Sequence, residues 1–244
     1  MKPASKSPAN HFNPAALKAI IFDMDDTLYP ERSYVLSGFR AVAAWAEAQW
    51  QIPAVEGYER FVDIFNAGIR GDVFNRWLAA YQIVSLEEVV LQMVKVYRDH
   101  DPEISLFPQV RQSLTLFRQR YRLGLISDGY LHVQQRKLAA LQVASWFDTI
   151  VFSDEWGREA WKPAAHPYEE ALRQLDIAAE EAVYVADNPK KDFLGARQVG
   201  MWAVWLCQPE GEYTHLQPSS RQHEPHITLQ SWGELGQLFC SKRI

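Results

Sequence analysis

Apolar positions along the chain follow two rhythms, and the changes from one to the other predict the elements. Leu17, Ala19, Ile20, Ile21 and Phe22 form a short continuous apolar run, partly β-branched, which suits a strand buried on both faces. Beyond Tyr29-Pro30 the spacing turns helical: Phe39, Val42, Ala43, Ala46 and Trp50 share one face, and Tyr58, Phe61, Val62 and Phe65 share another. Phe74, Trp77, Leu78 and Tyr81 mark a third helix. Leu86, Val89, Val90, Met93, Val94 and Tyr97 mark a fourth, with Ser85 expected as its N-cap and Glu88 closing a capping box. Residues 31–103 therefore read as a helical insert, with Pro102 and Pro108 punctuating its exit.

After the insert, strands and helices alternate. A helix near 108–119 turns Val110, Leu114 and Phe117 inward, and an apolar strand follows at 123–127. The helix at 131–141 is expected to bury Leu138 and Leu141 and to present Arg136 and Lys137 outward. Strands are expected at 147–152, 182–186 and 202–207, a helix at 168–175, and a short strand plus a final helix at the end. Such alternation predicts an α/β core built on a parallel sheet.

The first strand ends abruptly in Asp23-Met24-Asp25-Asp26-Thr27. Side chains alternate along an extended chain, so Asp23 and Asp25 are expected on one side and Met24 on the other. Two anions about 4 Å apart repel by roughly 4 kcal/mol at an effective dielectric near 20, so the pair calls for a cation or a shared proton. Hard oxygen ligands favour magnesium. Three later stretches carry matching chemistry. The second strand closes in Ser127-Asp128-Gly129, where a hydroxyl beside backbone amides can hold a phosphate oxygen. Lys162-Pro163 follows the third strand, and Asp187 and Asp192 follow the fourth.

In this order the four motifs resemble those of the haloacid dehalogenase-like hydrolase superfamily. The resemblance rests on Asp23-x-Asp25-x-Thr27, the Ser127 strand end, Lys162-Pro163 with Pro167-Tyr168, and Asp187 and Asp192 separated by the four residues Asn188-Pro189-Lys190-Lys191. Relatives usually carry glycine where Ala186 stands. The resemblance implies an α/β fold: a Rossmann-like parallel sheet core with helices on both faces and an inserted α-helical cap. Its expected divisions are a flexible leader at 1–16, a core at 17–30 and 104–244, and the cap at 31–103, covering the catalytic pocket. It further implies Asp23 as nucleophile and Asp25 as general acid–base. Ser127 and Lys162 would act on the phosphoryl group, and Mg²⁺ would sit on Asp23, Asp187 and the Asp25 backbone carbonyl. Thr27 and Asp192 would support the site.

The implied reaction is hydrolysis of a small phosphorylated metabolite, a sugar phosphate or nucleotide, through an aspartyl-phosphate. Dehalogenase relatives lack an acid at the place of Asp25, and phosphonatase relatives use a cap lysine, for which Lys95 is the candidate in 31–103. Phosphotransfer or mutase chemistry on the same fold stays open, as does a non-catalytic module docking through its aromatic cap. Candidate substrate contacts are Arg70, Arg76, Asp128 and Gly129; a solvated or ion-paired surface role competes for both arginines. His166 reads as a loop residue, Lys190 and Lys191 as solvent-facing, and Trp156 and Trp161 as loop packing.

Charge narrows the partners. With 25 basic and 30 acidic residues the net charge is −5, so bulk electrostatics do not favour nucleic acid. Two cysteines, Cys207 and Cys240, indicate no disulfide framework and are compatible with a reducing cytoplasm. No apolar run reaches membrane-spanning length, so no membrane role is expected. Oligomeric state and substrate identity are not encoded in any motif.

Overall fold

A computed structural model of the chain describes residues 12–240, which divide into two compact units. In chain order the elements are β1 (Ala19–Phe22), α1 (Glu31–Trp50), α2 (Ala54–Asn66), α3 (Val73–Ala80), α4 (Glu87–Asp99), α5 (Val110–Phe117), β2 (Arg122–Ser127) and α6 (Leu131–Leu141). Then come β3 (Thr149–Phe152), α7 (His166–Leu175), β4 (Ala182–Ala186), α8 (Asp192–Gln198), β5 (Trp202–Leu206), β6 (Ile227–Leu229) and α9 (Trp232–Cys240). Of the expected leader, residues 1–11 lie outside the described residues, and Pro14–Ala16 form a single 3-10 turn.

One unit comprises residues 12–27, 108–128 and 145–240. Its sheet has six strands in the order β3-β2-β1-β4-β5-β6, and every neighbouring pair is parallel. The strand alternation sorts the core into two layers. Phe22 stacks on Phe117 of α5 and Trp232 of α9, with ring centroids 6.3 and 5.7 Å apart. Ile21, Tyr184 and Ala203 face the other way, packing with Tyr168, Leu172 and Phe193 from α7 and α8. Both faces of the sheet are thus covered, which explains why β1 and β4 are apolar at every position. The chain order reverses between β1 and β4, so their carboxyl ends form the crevice where ligands of open α/β sheets bind.

The second unit comprises residues 28–107 and 129–144. Its centre is aromatic: Phe61 stacks on Phe39 at 5.1 Å and on Trp77 at 4.9 Å, and the buried Trp77 indole donates to the Gly57 carbonyl at 2.8 Å. Gly57 eases this approach, since a Cβ there would sit 3.2 Å from the Trp77 ring, tighter than an ordinary contact. The helix at 131–141, assigned to the core by its place in the sequence, groups instead with these helices. Lys137 on that helix does not point outward. It is 2% exposed, 3.8 Å from Glu31, with its ammonium over the Tyr34 ring at 4.3 Å. Glu31 and Tyr34 lie in the first turn of α1, and they supply the charge and the π-face that let an ammonium be buried. Arg136 is the outward residue of the pair, bonded to Asp101 at 2.7 Å. The capping box expected at α4 is absent: the helix starts after Leu86, and the Ser85 hydroxyl donates to Asn75 at the end of a contact across to α3.

Phe61 is fully buried in this aromatic stack. Phe61→Ala is expected to destabilise the protein by about 3–5 kcal/mol, read from the urea dependence of tryptophan fluorescence. A change below about 1 kcal/mol would mean that the stack is not what holds these helices.

Candidate active site

Asp23 leaves β1 at its carboxyl end, and its backbone N–H still donates to Val185 of β4 at 2.9 Å, which extends the ladder one residue past the strand. That bond brings the start of the acidic segment against the end of β4, where Asp187 follows. Asp26 adopts a left-handed conformation, φ 49°, turning the chain away; aspartate tolerates this better than most residues. The carboxylates of Asp23, Asp187 and Asp192 converge, with ligand oxygens within 4.8 Å of one another and all three residues buried.

Lys162 reaches this cluster from the loop after β3, and its side chain is fully buried. Its ammonium donates to Asp23 Oδ1 at 2.5 Å and to Tyr184 Oη at 3.0 Å, and forms an ion pair with Asp192 Oδ1 at 2.8 Å, an oxygen with no hydrogen-bond partner among the described residues. The loop is fixed by Asp128, whose carboxylate accepts the Lys162 backbone N–H at 3.2 Å and a hydrogen bond from Ser153. The Lys162–Pro163 bond is cis. Opposite, Asp192 Oδ2 accepts the Asn188 N–H at 2.9 Å and closes the turn after β4, while Trp205 donates to the Asp187 carbonyl at 2.7 Å. Tyr168 donates to the Asp192 carbonyl at 2.6 Å. Gly195 lets α8 approach this loop, since a Cβ there would lie 2.5 Å from Tyr168 and 2.7 Å from the Pro163 carbonyl.

Burial dominates the electrostatics. It raises the Asp23 carboxyl to about 7 despite the opposing pull of Lys162, and Asp192 and Asp25 add to the rise. Burial likewise raises Asp187 well above the carboxylate range, with the charges of Asp192 and Asp23 contributing. Lys162 is itself held well above an ordinary lysine: burial disfavours its charge, but Asp192 and Asp23 outweigh it. The cluster is therefore short of positive charge, which is what a cation would supply. Asp187 Oδ2 is buried without a hydrogen-bond partner among the described residues. An orphaned carboxylate oxygen beside other hard oxygen donors fits Mg²⁺.

Residues 20–206 match the family described as haloacid dehalogenase-like hydrolase. The chain belongs to that family. Among curated relatives, the glyceraldehyde 3-phosphate phosphatase of Methanothermobacter thermautotrophicus is 31% identical over 210 residues, 82% of this chain and 91% of that protein. The ribulose-1,5-bisphosphate 5-phosphatase of Halopiger xanaduensis is 27% identical over 240 residues, covering 90% and 98%. Among solved structures, the HAD-hydrolase YfnB of Bacillus subtilis, bound to magnesium, shares the fold with a TM-score of 0.66 at 15% identity, covering 91% and 98%. The chain is thus an enzyme of a hydrolase family whose curated relatives are phosphatases.

Within this hydrolase the structure gathers Asp23, Lys162, Asp187 and Asp192, with Ser127 buried at the end of β2 next to β1. Asp25 is close enough to raise the Asp23 pKa, but its carboxylate is not part of the converging oxygen cluster. Thr27 Oγ1 is buried without a hydrogen-bond partner among the described residues, and the Thr27 carbonyl accepts from Trp232 at 3.1 Å. Asp128 is occupied in holding the Lys162 loop. Gly129 serves a backbone need: its φ is +122°, and a Cβ would fall 2.3 Å from the Gln134 amide. Arg70 and Arg76 lie in the helical unit, where Arg70 donates to the Phe65 carbonyl at 2.7 Å and Arg76 pairs with Asp72 at 3.2 Å. Lys95 pairs with Asp99. His166 opens α7 against Trp156, and Trp161 donates to Asp154.

Tyr184, Trp205 and Lys191 escaped the motif reading. Tyr184 carried one signal, a phenol inside the otherwise aliphatic strand Ala182–Ala186, since a buried tyrosine hydroxyl requires a partner. Lys191 is not simply solvent-facing; its ammonium is 3.7 Å from Asp128.

Removing Lys162 would leave buried carboxylates uncompensated. Lys162→Met is expected to cost about 3–5 kcal/mol near neutral pH. The loss should shrink toward pH 5. Asp23 and Asp187 have folded pKa values above the unfolded carboxylate value, so the folded state holds protons that the unfolded state releases, and stability falls as pH rises toward about 7. Urea unfolding at the two pH values checks this; an equal loss at both would contradict the assignment.

Proposed function

We propose that this hydrolase is a magnesium-dependent phosphatase that cleaves a small phosphorylated metabolite, such as a sugar phosphate or nucleotide, through an aspartyl-phosphate on Asp23. The observation that carries the reading is the clamp of Lys162 on Asp23 and Asp192, beside an Asp187 oxygen that lacks a hydrogen bond. Asp23 Oδ1 is held by the lysine, so the carboxylate is oriented, and a carboxylate is an effective phosphoryl acceptor. Asp25 is the group that protonates the departing ester oxygen. In the second half-reaction it takes a proton from the water that attacks the acyl-phosphate and releases phosphate. Ser127 donates to a phosphoryl oxygen.

Asp23, Asp187 and the Asp25 backbone carbonyl are the groups that would hold Mg²⁺, with Asp192 supporting them through Lys162. When bound, the ion supplies Lewis-acid stabilisation of charge on the phosphoryl oxygens. The helical unit is read as the cap, with 17–30 and 104–244 as the core apart from the helix that groups with the cap. An acid at Asp25 favours phosphate esters over haloacids, because an alkoxide needs a proton to leave and a halide does not. The substrate class is supported by the relatives, which are named for three- and five-carbon phosphates. No helix among the described residues is long and apolar enough to cross a membrane. A cytoplasmic enzyme acting on a diffusible metabolite, with neither nucleic acid nor membrane as partner, agrees with that and with the acidic net charge.

The test is hydrolysis of p-nitrophenyl phosphate. Activity is expected with Mg²⁺ and to be lost with EDTA. Asp23→Asn is expected to abolish turnover while leaving the unfolding midpoint near wild type, and normal turnover in that variant would refute the nucleophile assignment. Phosphate appearing on an added acceptor alcohol rather than free in solution would favour phosphotransfer.

Proton competition supplies a second test. Because the Asp23 carboxyl sits at about 7 before a cation arrives, Mg²⁺ must displace a proton below that pH. The increase in melting temperature caused by Mg²⁺ should therefore be larger at pH 8 than at pH 6. A pH-independent increase would place the ion elsewhere.

A further inference from the structure

The sheet edge opposite the carboxylate cluster concentrates positive charge. Where β1 and β2 begin, Lys18, Arg118, Arg120, Arg122, Tyr121 and Asp148 line a cavity of about 350 Å³. Three arginines at alternate positions between α5 and β2 thus share one exposed space, in a chain whose net charge is −5. The backbone beneath them is fixed. The Arg122 N–H donates to the Lys18 carbonyl, and the Lys18 N–H to the Glu181 carbonyl, both at 2.8 Å. The side chains are anchored too: Arg118 Nη1 donates to the Ser145 carbonyl at 2.7 Å, Arg122 Nη1 to Leu175 at 3.0 Å and Arg120 Nη1 to Phe239 at 3.3 Å. A carbonyl carries only partial negative charge, even at a helix end, so these bonds orient the guanidiniums and leave net positive charge. Each guanidinium has five N–H donors and commits one of them here. Among the described residues no carboxylate forms an ion pair with the three arginines. Lys18 pairs with Glu181 at 2.7 Å, and Asp148 Oδ2 accepts the Leu123 N–H at 2.8 Å.

We propose that this cavity binds a small polyanion carrying two or more phosphate groups, at a site separate from the carboxylate cluster and independent of the phosphatase reading. Like charges gathered by the fold repel one another, and an anion shared between them relieves that repulsion. The planar guanidinium fork matches phosphate oxygens and binds them through charge-assisted hydrogen bonds. Several such forks around a space larger than one tetrahedral anion favour a ligand with several anionic groups. Because the guanidiniums are already held by carbonyls, little side-chain freedom is lost when the ligand arrives. The charge is confined to one cavity and does not form the extended basic stripe that a nucleic acid needs. Lys18 precedes β1 and Asp23 follows it, so the two sites lie about 16 Å apart along an extended chain.

The experiment is calorimetric titration of the full chain with pyrophosphate at low salt, after divalent cations have been removed on a chelating resin. Wild type is expected to bind one pyrophosphate per chain, and inorganic phosphate at least about tenfold more weakly. Arg120→Gln and Arg122→Gln are each expected to weaken pyrophosphate at least about fivefold, and the double variant more than about twentyfold. Turnover of p-nitrophenyl phosphate with Mg²⁺ should stay within about twofold of wild type in all three. Should Arg120→Gln or Arg122→Gln unfold, Arg118→Gln carries the same comparison, since its carbonyl partner Ser145 is exposed. No binding to wild type would overturn the proposal, as would equal affinity for phosphate and pyrophosphate, or variants that bind within about twofold of wild type. Loss of pyrophosphate binding matched by loss of turnover would place the anion at the carboxylate cluster instead. A single-stranded oligonucleotide that binds through the same arginines more tightly than pyrophosphate would also overturn it, in favour of a nucleic-acid surface.

Discussion

A buried ammonium shared by two carboxylates and a phenol is the interaction on which the site depends. Lys162, Asp23, Asp192 and Tyr184 come from the loop after β3, the end of β1, the start of α8 and the middle of β4. Breaking any one of these contacts leaves a charge or hydroxyl stranded where water cannot reach it. Charge burial is expensive, and here it is offset by two ion pairs and the hydrogen bond to Tyr184. The consequence is rigidity: Asp23 cannot swing without also releasing Lys162, and so its free oxygen keeps one direction. On the proposed reading of Asp23 as nucleophile, that restriction would keep the carboxylate in line with the phosphorus atom.

The sheet explains why these residues can meet at all. Parallel strands leave the same end of each strand on one edge, and the reversal of order between β1 and β4 opens a gap there. Supporting groups then lock the loops that cross the gap. Trp205 holds the Asp187 backbone, Tyr168 holds that of Asp192, and Asp128 holds that of Lys162. Trp205 and Tyr168 each place their one polar group on a backbone carbonyl at this edge, and Asp128 holds the Lys162 N–H while also accepting from Ser153. Aromatic residues are suited to this, because they bury a large ring in the sheet layer and still present one donor.

Much of this was legible in the sequence, for identifiable reasons. Apolar runs ending in Asp23, Ser127 and Asp187 announced strands that stop at chemistry, because a strand buried on both faces has no other place for a carboxylate. What could not be read depends on facing. Lys137 looked like a surface lysine from its helical position, but Glu31 and Tyr34, a hundred residues away in sequence, cover it. Ser85 fitted an N-cap, yet Asn75 offered its hydroxyl another acceptor and the helix began one residue later. Lys191 lay in a polar run in which nothing distinguishes a solvated side chain from one turned back toward Asp128. Local pattern specifies elements; which side chain turns inward is decided by partners distant in the chain.

Charge on the opposite edge of the sheet makes the catalytic edge easier to interpret. Lys18, Arg118, Arg120, Arg122, Tyr121 and Asp148 surround a cavity of about 350 Å³ where β1 and β2 begin. Three of these cations are already accounted for by the fold. Arg122 donates to the Leu175 carbonyl at the end of α7, Arg120 to Phe239 in the last turn of α9, and Arg118 to Ser145. Helix carboxyl ends carry unpaired carbonyls and partial negative charge, and guanidinium groups satisfy both. No equivalent debt exists at the catalytic edge: the helix that starts there, α8, presents N–H groups, and its Asp192 already accepts one nearby. Asp23 and Asp187 therefore answer no structural need of that kind. Buried carboxylates that the backbone does not require, held apart from their ordinary pKa by burial, are what a phosphoryl-transfer site would be built from.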